Sequence, residues 1–470
     1  MKYRHVFTRL LVFLLWVSQL GFSQAANAAG NATGDVSNEA GASKSILASR
    51  GSNDTSPFNT AYNYVVTFYP RWFTYLQGMH LNRMRGPDRI SPIYHTVVAI
   101  NDDTLYASAF VSVTDQPIIV TVPSTTDNYS VLQLDQYGSV FTGIPNNQAG
   151  VYGLTGPDWH GTLPPQVVPI PVPYNNTTLI FRADKYVNGQ DMRQEGEKFR
   201  RNLYLATLSD YEANPQAGPT KILPEAAFAI PYKNIAVTLI LNQPIGFLHT
   251  LQTAVLAPTT QPLTPDEQNL SDSFNAFFSN PSHWPKMAAG AQAAHADIDN
   301  NYETHTLSGT DWVRFTDIGE WDQTFQGYLN RSGITDYLQY GNNFEAAAYY
   351  HAFTDGNGNP LNGDLHSYTL TFLKGQQPPV TRFWSLTPYL PVSIELVPNP
   401  ANTYVVASYT PGLVTAADGS VTIVMSVNQP QGVPTANWLP IPNGPFNVML
   451  RAYGPKDANS YVPPLIELLQ

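Results

Sequence analysis

Two periodicities divide this chain. Between residues 58 and 90, Tyr64, Val65, Phe68, Trp72, Phe73 and Leu76 recur near helical spacing, with Pro70 among them. A helix or a pair of helices meeting near Pro70 is expected. From 95 to 190 the pattern changes to short β-rich runs. "PIIVTVP", "YSVLQLDQ", "QVVPIPVP" and "TTLIFRA" are separated by clusters of Gly, Pro, Asn and Asp. Residues 191–345 return to helical patterning. "DMRQEGEKFRRNLYLATL" is amphipathic, and "MAAGAQAAHADIDNNY" is rich in the best helix former. In "LTPDEQNLSDSFNAFFS", Thr264, Pro265 and Glu267 spell a capping box. Leu270, Phe274, Phe277 and Phe278 then form an apolar stripe that needs a covering surface, and the neighbouring β domains are expected to supply it. Beyond residue 346, "HSYTLTF", "TYVVASY", "SVTIVMS" and "FNVMLRAYG" read as strands, and Asp418–Gly419 marks a turn before one of them. The expected fold is α+β, mainly β. Two antiparallel β-sandwich or barrel-like domains, 58–190 and 346–470, are joined by a helical region, 191–345.

Composition agrees. Charged residues make up 13% of the 470, against a usual share of about 25%, while Tyr, Phe, Pro and Gly are plentiful. That mixture favours strands and turns over long solvated helices. The net charge of −11 comes without any basic stripe, which argues against nucleic acid as a partner. At this length two or three domains are expected, each with its own core.

The N-terminus reads as a targeting segment. "MKYRHVFTR" is basic, "LLVFLLWVSQLGF" is apolar, and Ala26–Asn27–Ala28 has the small-x-small form of a cleavage site. The apolar run is short for a membrane span. Residues 1–28 are therefore expected to be a signal peptide cleaved after Ala28, and 29–57, rich in Gly, Ala, Ser and Asn, a disordered leader. The mature protein is expected to be secreted or extracytoplasmic, with no transmembrane anchor after cleavage. It contains no cysteine, so its stability rests on core burial. Sequons at Asn31, Asn53, Asn128, Asn175, Asn176, Asn269 and Asn330 matter only in a host that glycosylates them.

The β-rich segments resemble two families. "INDDTLYAS" (100–108), "YSVLQLDQYGSVF" (129–141), "GPDWHGTLP" (156–164) and "IFRADKYVNGQD" (180–191) resemble domain-of-unknown-function family 1254. "DGNGNPLNGDLHSYTLTF" (355–372), "PPVTRFWSLTPY" (378–389), "PGLVTAADGSVTIVMS" (411–426) and "NWLPIPNGPFNVMLRAYGPK" (437–456) resemble family 1214. The resemblance implies an exported or surface-associated protein with a β-rich N-terminal domain, a helical middle and a β-sandwich-like C-terminal domain. It implies no activity. The chain departs from the families at Thr403, where an arginine usually precedes the aromatic, and at Asn101–Asp102–Asp103–Thr104, where the family tends to Asn-Asn-Asp-Thr.

Candidate chemistry centres on "INDDTLYAS". On a strand, neighbouring side chains point to opposite faces, so Asp102 and Asp103 cannot face one substrate together unless the chain turns. Leu105, Ala107 and Ala109 share one parity; Thr104, Tyr106 and Ser108 share the other. Asp103 is expected to turn inward and accept backbone N–H groups. Asp102 and Tyr106 are the candidate catalytic residues, facing a cleft. A plain polar turn leading into a strand is the alternative. Arg382, Trp384 and Tyr389 in "RFWSLTPY", with Arg451 in "VMLRAYGPK", are candidate ligand-binding residues, because aromatics with a few polar groups suit carbohydrates and small aromatic molecules. A buried Arg451 requires a partner, and an acid across the sheet or at a domain interface is expected. "DGNGNPLNGD" lacks the Gly and Glu of a calcium loop, carrying Pro360 and His366 there, and reads as a long turn. No metal site is expected from His80, His95, His160 and His351, and no cofactor from any fingerprint.

Three functions fit these observations. One is recognition of a small organic or carbohydrate ligand at the cell exterior. Another is a secreted hydrolase- or lyase-like enzyme using polar residues around 101–108. The third is a structural envelope or virion-surface protein. The composition leaves a homo-oligomer open.

Overall fold

The structure is a computed structural model that describes residues 56–77, 81–86, 95, 97–215, 222, 231–258, 260–456 and 460–469. The targeting segment, nearly all of the leader, His80, Asn31 and Asn53 lie outside the described residues. Among the described residues are eight α-helices and 19 strands, and no helix is long and apolar enough to cross a membrane.

The molecule is organised around helix α1 (Pro57–Gln77), which is buried on nearly every side. It is one helix, not two, although Pro70 lies inside it. Proline removes an N–H and crowds the carbonyl one turn earlier. The carbonyl freed here, that of Val66, accepts the Ser332 hydroxyl at 2.8 Å, and the Thr67 carbonyl accepts Arg331 Nη2 at 2.6 Å. Donors from another helix therefore mend the break. The remaining helices are α2 (Arg193–Arg201), α3 (Leu208–Ala213), α4 (Tyr232–Asn242), α5 (Pro244–Leu256), α6 (Pro265–Phe278), α7 (Trp284–Glu303) and α8 (Phe325–Tyr337). α1 packs against α5, α6, α7 and α8. At Gly290 of α7 an added Cβ would lie 2.3 Å from the Phe58 carbonyl, so only glycine allows this approach. Helix 57–77 thus belongs with the central helices, which moves it out of the N-terminal β domain expected to begin at 58.

The capping box forms as read: Thr264 accepts the Glu267 N–H, and Glu267 accepts the Thr264 N–H at 2.9 Å. The stripe that follows is covered by a helix, contrary to the expectation that the β domains would cover it. Phe274 stacks on Tyr64 of α1, with ring centroids 3.8 Å apart.

The N-terminal sandwich uses β1 (Arg83–Arg85), β2 (Thr104–Ser112), β3 (Ile118–Val122), β4 (Tyr129–Leu134) and β5 (Gly150–Thr155). It continues with β6 (Val168–Pro171), β7 (Asn176–Asp184), the ribbon β8 (Tyr186–Val187) and β9 (Gln190–Asp191), and β10 (Tyr204–Thr207). Its sheets run β1-β2-β7-β4 and β10-β3-β5-β6. Ala107, Ala109, Leu179 and Phe181 from one sheet meet Ile118, Val120, Tyr152 and Leu154 from the other. The "NLYLAT" end of the amphipathic segment is β10, paired with β3, so this domain extends beyond the boundary at 190.

The C-terminal sandwich uses β11 (Trp312–Val313), β12 (Ala347–Ala352), β13 (Tyr368–Phe372), β14 (Val380–Tyr389), β15 (Val406–Ala407), β16 (Val421–Ser426), β17 (Trp438–Pro440), β18 (Asn447–Pro455) and β19 (Ile466–Leu468). Its sheets run β11-β12-β18-β14-β15 and β17-β16-β13-β19. Neither sandwich closes into a barrel, and neither is purely antiparallel. β5–β6 and β16–β17 are parallel pairs, each joined by a loop long enough to return the chain to the same end. Alternation along β14 and β18 decides the architecture. Trp384, Leu386, Val448, Leu450 and Ala452 fill the sandwich. Phe383, Tyr389, Met449 and Tyr453 join the core of the helical layer.

Ser332→Ala should leave the Val66 carbonyl buried without a donor. The expected loss is about 1–3 kcal/mol in urea denaturation. An unchanged midpoint would show that Pro70 needs no such repair.

Candidate functional site

The outer face of the β2–β7 pair and the outer face of the five-stranded C-terminal sheet meet at a cavity. Tyr106, Ser108 and Phe110 come from β2, and Thr178, Ile180 and Arg182 from β7. These are alternate residues, opposite to those filling the sandwich, as the pleat requires. Tyr349 of β12 and Arg451 and Tyr453 of β18 form the facing wall. Residues 97–101 and 338–342, with Gln77 at the end of α1, complete the enclosure. Three non-glycine residues of this wall have left-handed backbones: Ala99 (φ 54°), Gln339 (φ 32°) and Tyr340 (φ 54°). Such conformations cost on the order of 1–3 kcal/mol each and collect at functional sites.

Outside the lining, at the contact between the two domains, sits Asp103, fully buried. Its carboxylate accepts the hydroxyls of Tyr409 at 2.6 Å, Ser385 at 2.8 Å and Tyr453 at 3.3 Å. All three donors belong to the C-terminal domain. The backbone N–H groups expected to satisfy Asp103 are taken by Asn101 instead. Its Oδ1 accepts the N–H of Asp103 at 3.2 Å and of Thr104 at 3.3 Å, and its Nδ2 donates to Tyr453 at 2.6 Å. The polar turn of "INDDTLYAS" is therefore built by Asn101, and the inward-facing Asp103 is a fastening between domains. Burial, followed by the charge of Asp103, pushes Tyr409 and Tyr453 well above the usual phenol range, so both remain donors.

The two carboxylates diverge. Asp102 pairs with the buried Lys185 and is absent from the cavity lining, whereas Tyr106 lines it. Burial raises the Asp102 carboxyl, and Lys185 opposes the rise. Arg451 is buried and lines the cavity. Its Nη2 donates to the Ala99 carbonyl at 2.8 Å and to the Tyr389 hydroxyl at 2.7 Å, so its partners are neutral oxygens where an acid was expected. The Tyr389 hydroxyl in turn donates to the Ile100 carbonyl at 2.7 Å. Arg382 pairs across the domain junction with Asp184. Trp384 faces the opposite way from Arg451, into the sandwich, and donates to Gln377 at 3.0 Å. The structure thus brings Tyr106 and Arg451 together, with Tyr389 behind Arg451, and leaves Asp102, Arg382 and Trp384 outside the cavity.

Sequence reasoning missed Arg182, Tyr349 and Tyr453. Arg182 lies in "IFRAD" with the parity of Ile180, and Tyr453 lies two residues after Arg451; shared parity was the available signal. Among the sequons, Asn330 is buried and bonded to Asp317, and Asn176 is buried, so neither has room for a glycan in the folded chain. Asn128 and Asn175 are half-buried, and Asn269 is exposed. "DGNGNPLNGD" is a turn fastened by Asp355, which accepts the N–H groups of Asn357 and Asn359, each at 2.9 Å.

Among the described residues, one cluster has metal-ligand character: His295, Asp299 and Asp336, with ligand atoms within 4.8 Å of one another. Lys233 Nζ lies 2.6 Å from Asp336 Oδ2, and the Tyr69 hydroxyl donates to Oδ1 at 2.5 Å. The lysine already supplies the positive charge a cation would bring, so the donor set fits an internal ion pair rather than a metal. Burial, reinforced by the charge of Asp336, pushes Asp299 up.

Residues 81–206 match the family model described as protein of unknown function (DUF1254), and residues 346–457 match that described as protein of unknown function (DUF1214). The chain carries both, in that order. Among solved structures, the VPA0106 protein from Vibrio parahaemolyticus is similar, with a TM-score of 0.58 and 20% identity over 88% of this chain and 100% of that one. An uncharacterized protein from Burkholderia cenocepacia gives a TM-score of 0.43 and 13% identity over 92% of this chain and 97% of that one. No curated protein matches. The likeness to the Vibrio structure is one of fold alone. The two family segments contribute the opposing walls of the cavity: β2 and β7 fall in the first, β12 and β18 in the second.

Asp103→Ala leaves three hydroxyls without their acceptor, and Asp102→Asn leaves a buried lysine without its counter-charge. Both variants should lose about 1–3 kcal/mol or more in denaturant titration. A near-native midpoint for Asp102→Asn would show that Lys185 reaches water.

Beside the junction, burial and then the charge of Asp184 push Asp127 up to about 7, and burial raises Asp184 to about 6 against the pull of Arg382. A carboxyl raised on folding holds its proton more tightly in the native chain. Its contribution therefore falls as pH rises from the unfolded value of about 4 to about 7, then levels off. Asp127→Asn should flatten that slope, gaining stability at pH 8 relative to the parent. Parallel stability–pH curves for the two would contradict it.

Proposed function

We propose that this chain is an exported protein that binds a small organic molecule in the cavity between its two β domains. The observation that carries the reading is the cavity itself: both family segments contribute walls, and neither sandwich alone encloses it. Its lining mixes apolar side chains (Ile100, Phe110, Ile180) with convergent polar ones (Asn101, Tyr106, Arg182), the usual make-up of a small-molecule site. The left-handed backbones at Ala99, Gln339 and Tyr340 support it, since strain is kept where a precise wall is needed. The basic and apolar N-terminus with its small-x-small site supports export. The cavity gives the recognition reading a specific place to act. The enzyme reading keeps Tyr106 at the cavity but loses Asp102, which is engaged with Lys185 away from it.

Ser108 offers the test. It lines the cavity from the face of β2 opposite the sandwich core, so Ser108→Phe fills the site without entering that core. Native mass spectrometry of protein isolated from its host should show a bound small molecule on the parent and none on Ser108→Phe, with similar thermal melting of the stripped proteins. Retention of the molecule by the variant would overturn the assignment.

A further inference from the structure

The charge inventory of the cavity narrows the ligand. Among its lining residues are two arginines, Arg182 and Arg451, and no aspartate or glutamate. Both arginines are buried. A buried guanidinium is costly unless its charge is met. Among the described residues Arg182 finds only neutral acceptors, Asn342 Oδ1 at 2.8 Å and the Tyr340 carbonyl at 2.9 Å. Arg451 uses Nη2 on the Ala99 carbonyl and Tyr389, and its Nη1 is buried with no hydrogen-bond partner among the described residues. Of the other acids near the junction, Asp127 lies beside Asp184 and does not line the cavity. Asp102 is paired with Lys185 and Asp184 with Arg382. Asp103 acts on Arg451 through its charge, but its oxygens are occupied by Ser385, Tyr409 and Tyr453. Two lining cations thus face one acid behind the wall.

We infer that the cavity takes an organic monoanion, a carboxylate on an apolar body, whose charge is balanced by the lining arginines Arg182 and Arg451. This rests on the small-molecule reading above. A carboxylate accepts a guanidinium N–H more strongly than a neutral carbonyl does, and in a desolvated site the difference grows. Ile100, Phe110 and Ile180 suit an aliphatic or aromatic body better than a strongly hydrated phosphate or sugar.

Matched probes separate this inference from the wider reading. Full-length mature protein would be titrated by calorimetry with benzoate against benzamide, and with hexanoate against hexanamide. At least one acid should bind at least about ten-fold more tightly than its amide, and Arg182→Gln should reduce that preference. Crystals soaked in bromide should show an anomalous peak in the cavity lined by Arg182 and Arg451. Because Arg451 also holds Ala99 and Tyr389, its substitution is avoided, and the wild-type comparison carries the result. Amides that bind as well as the acids would overturn the anion assignment and leave the small-molecule reading standing. Absence of both carboxylate binding and a bromide peak would likewise overturn the anion assignment. The wider reading would then be decided separately by the Ser108→Phe comparison.

Discussion

Asp103 is a carboxylate removed from water, and the arrangement of the rest follows from satisfying it. An ionised group in a protein interior persists only where charge or hydrogen bonds replace its hydration. Its own domain supplies little. Asn101 has taken the nearby backbone donors, and the hydroxyls that reach Asp103 come from Ser385, Tyr409 and Tyr453. The two sandwiches must therefore meet face to face at this point. Once they meet, β2 and β7 oppose β12 and β18 across the same gap, and the gap is the cavity.

The helical layer keeps that meeting rigid. α1 runs through its centre, repaired at Pro70 by Ser332 and Arg331 of α8. α1 then ends in Gln77 at the cavity, and α8 leads into the strained 338–342 wall. The same helices cover the C-terminal sheet, burying Tyr389, Met449 and Tyr453. Core packing and cavity wall are thus successive stretches of the same elements, so disturbance of one is transmitted to the other.

Charge is distributed unevenly across this junction. Asp102 and Asp184 are engaged elsewhere, with Lys185 and Arg382. Asp127 and Asp184 have raised proton affinities beside the cross-domain ion pair. The result is a cationic lining inside a chain whose net charge is −11. Global charge describes solubility and long-range fields; the cavity's preference is set by the few groups that line it.

What the sequence determined by itself are features governed by neighbours along the chain. Alternation placed Leu105, Ala107 and Ala109 opposite Tyr106 and Ser108. The Thr264–Glu267 capping box formed because its partners are three residues apart. The motifs of both family segments were legible at their correct places. Only tertiary structure decided the rest. Pro70 did not divide α1, because the missing bond is replaced from a helix more than two hundred residues away. The Phe274 stripe met Tyr64 rather than a sheet, a choice local pattern does not encode. Arg451 was recognisable as a strand arginine in need of a partner, but its partners, Ala99 and Tyr389, lie in distant segments and carry no charge that would mark them. Trp384 and Arg451 seemed alike as aromatic and cationic candidates; pairing of β14 with β18 puts them on opposite faces, one in a core and one at a cavity. Periodicity tells which residues share a face, and only the packing of whole sheets tells what that face meets.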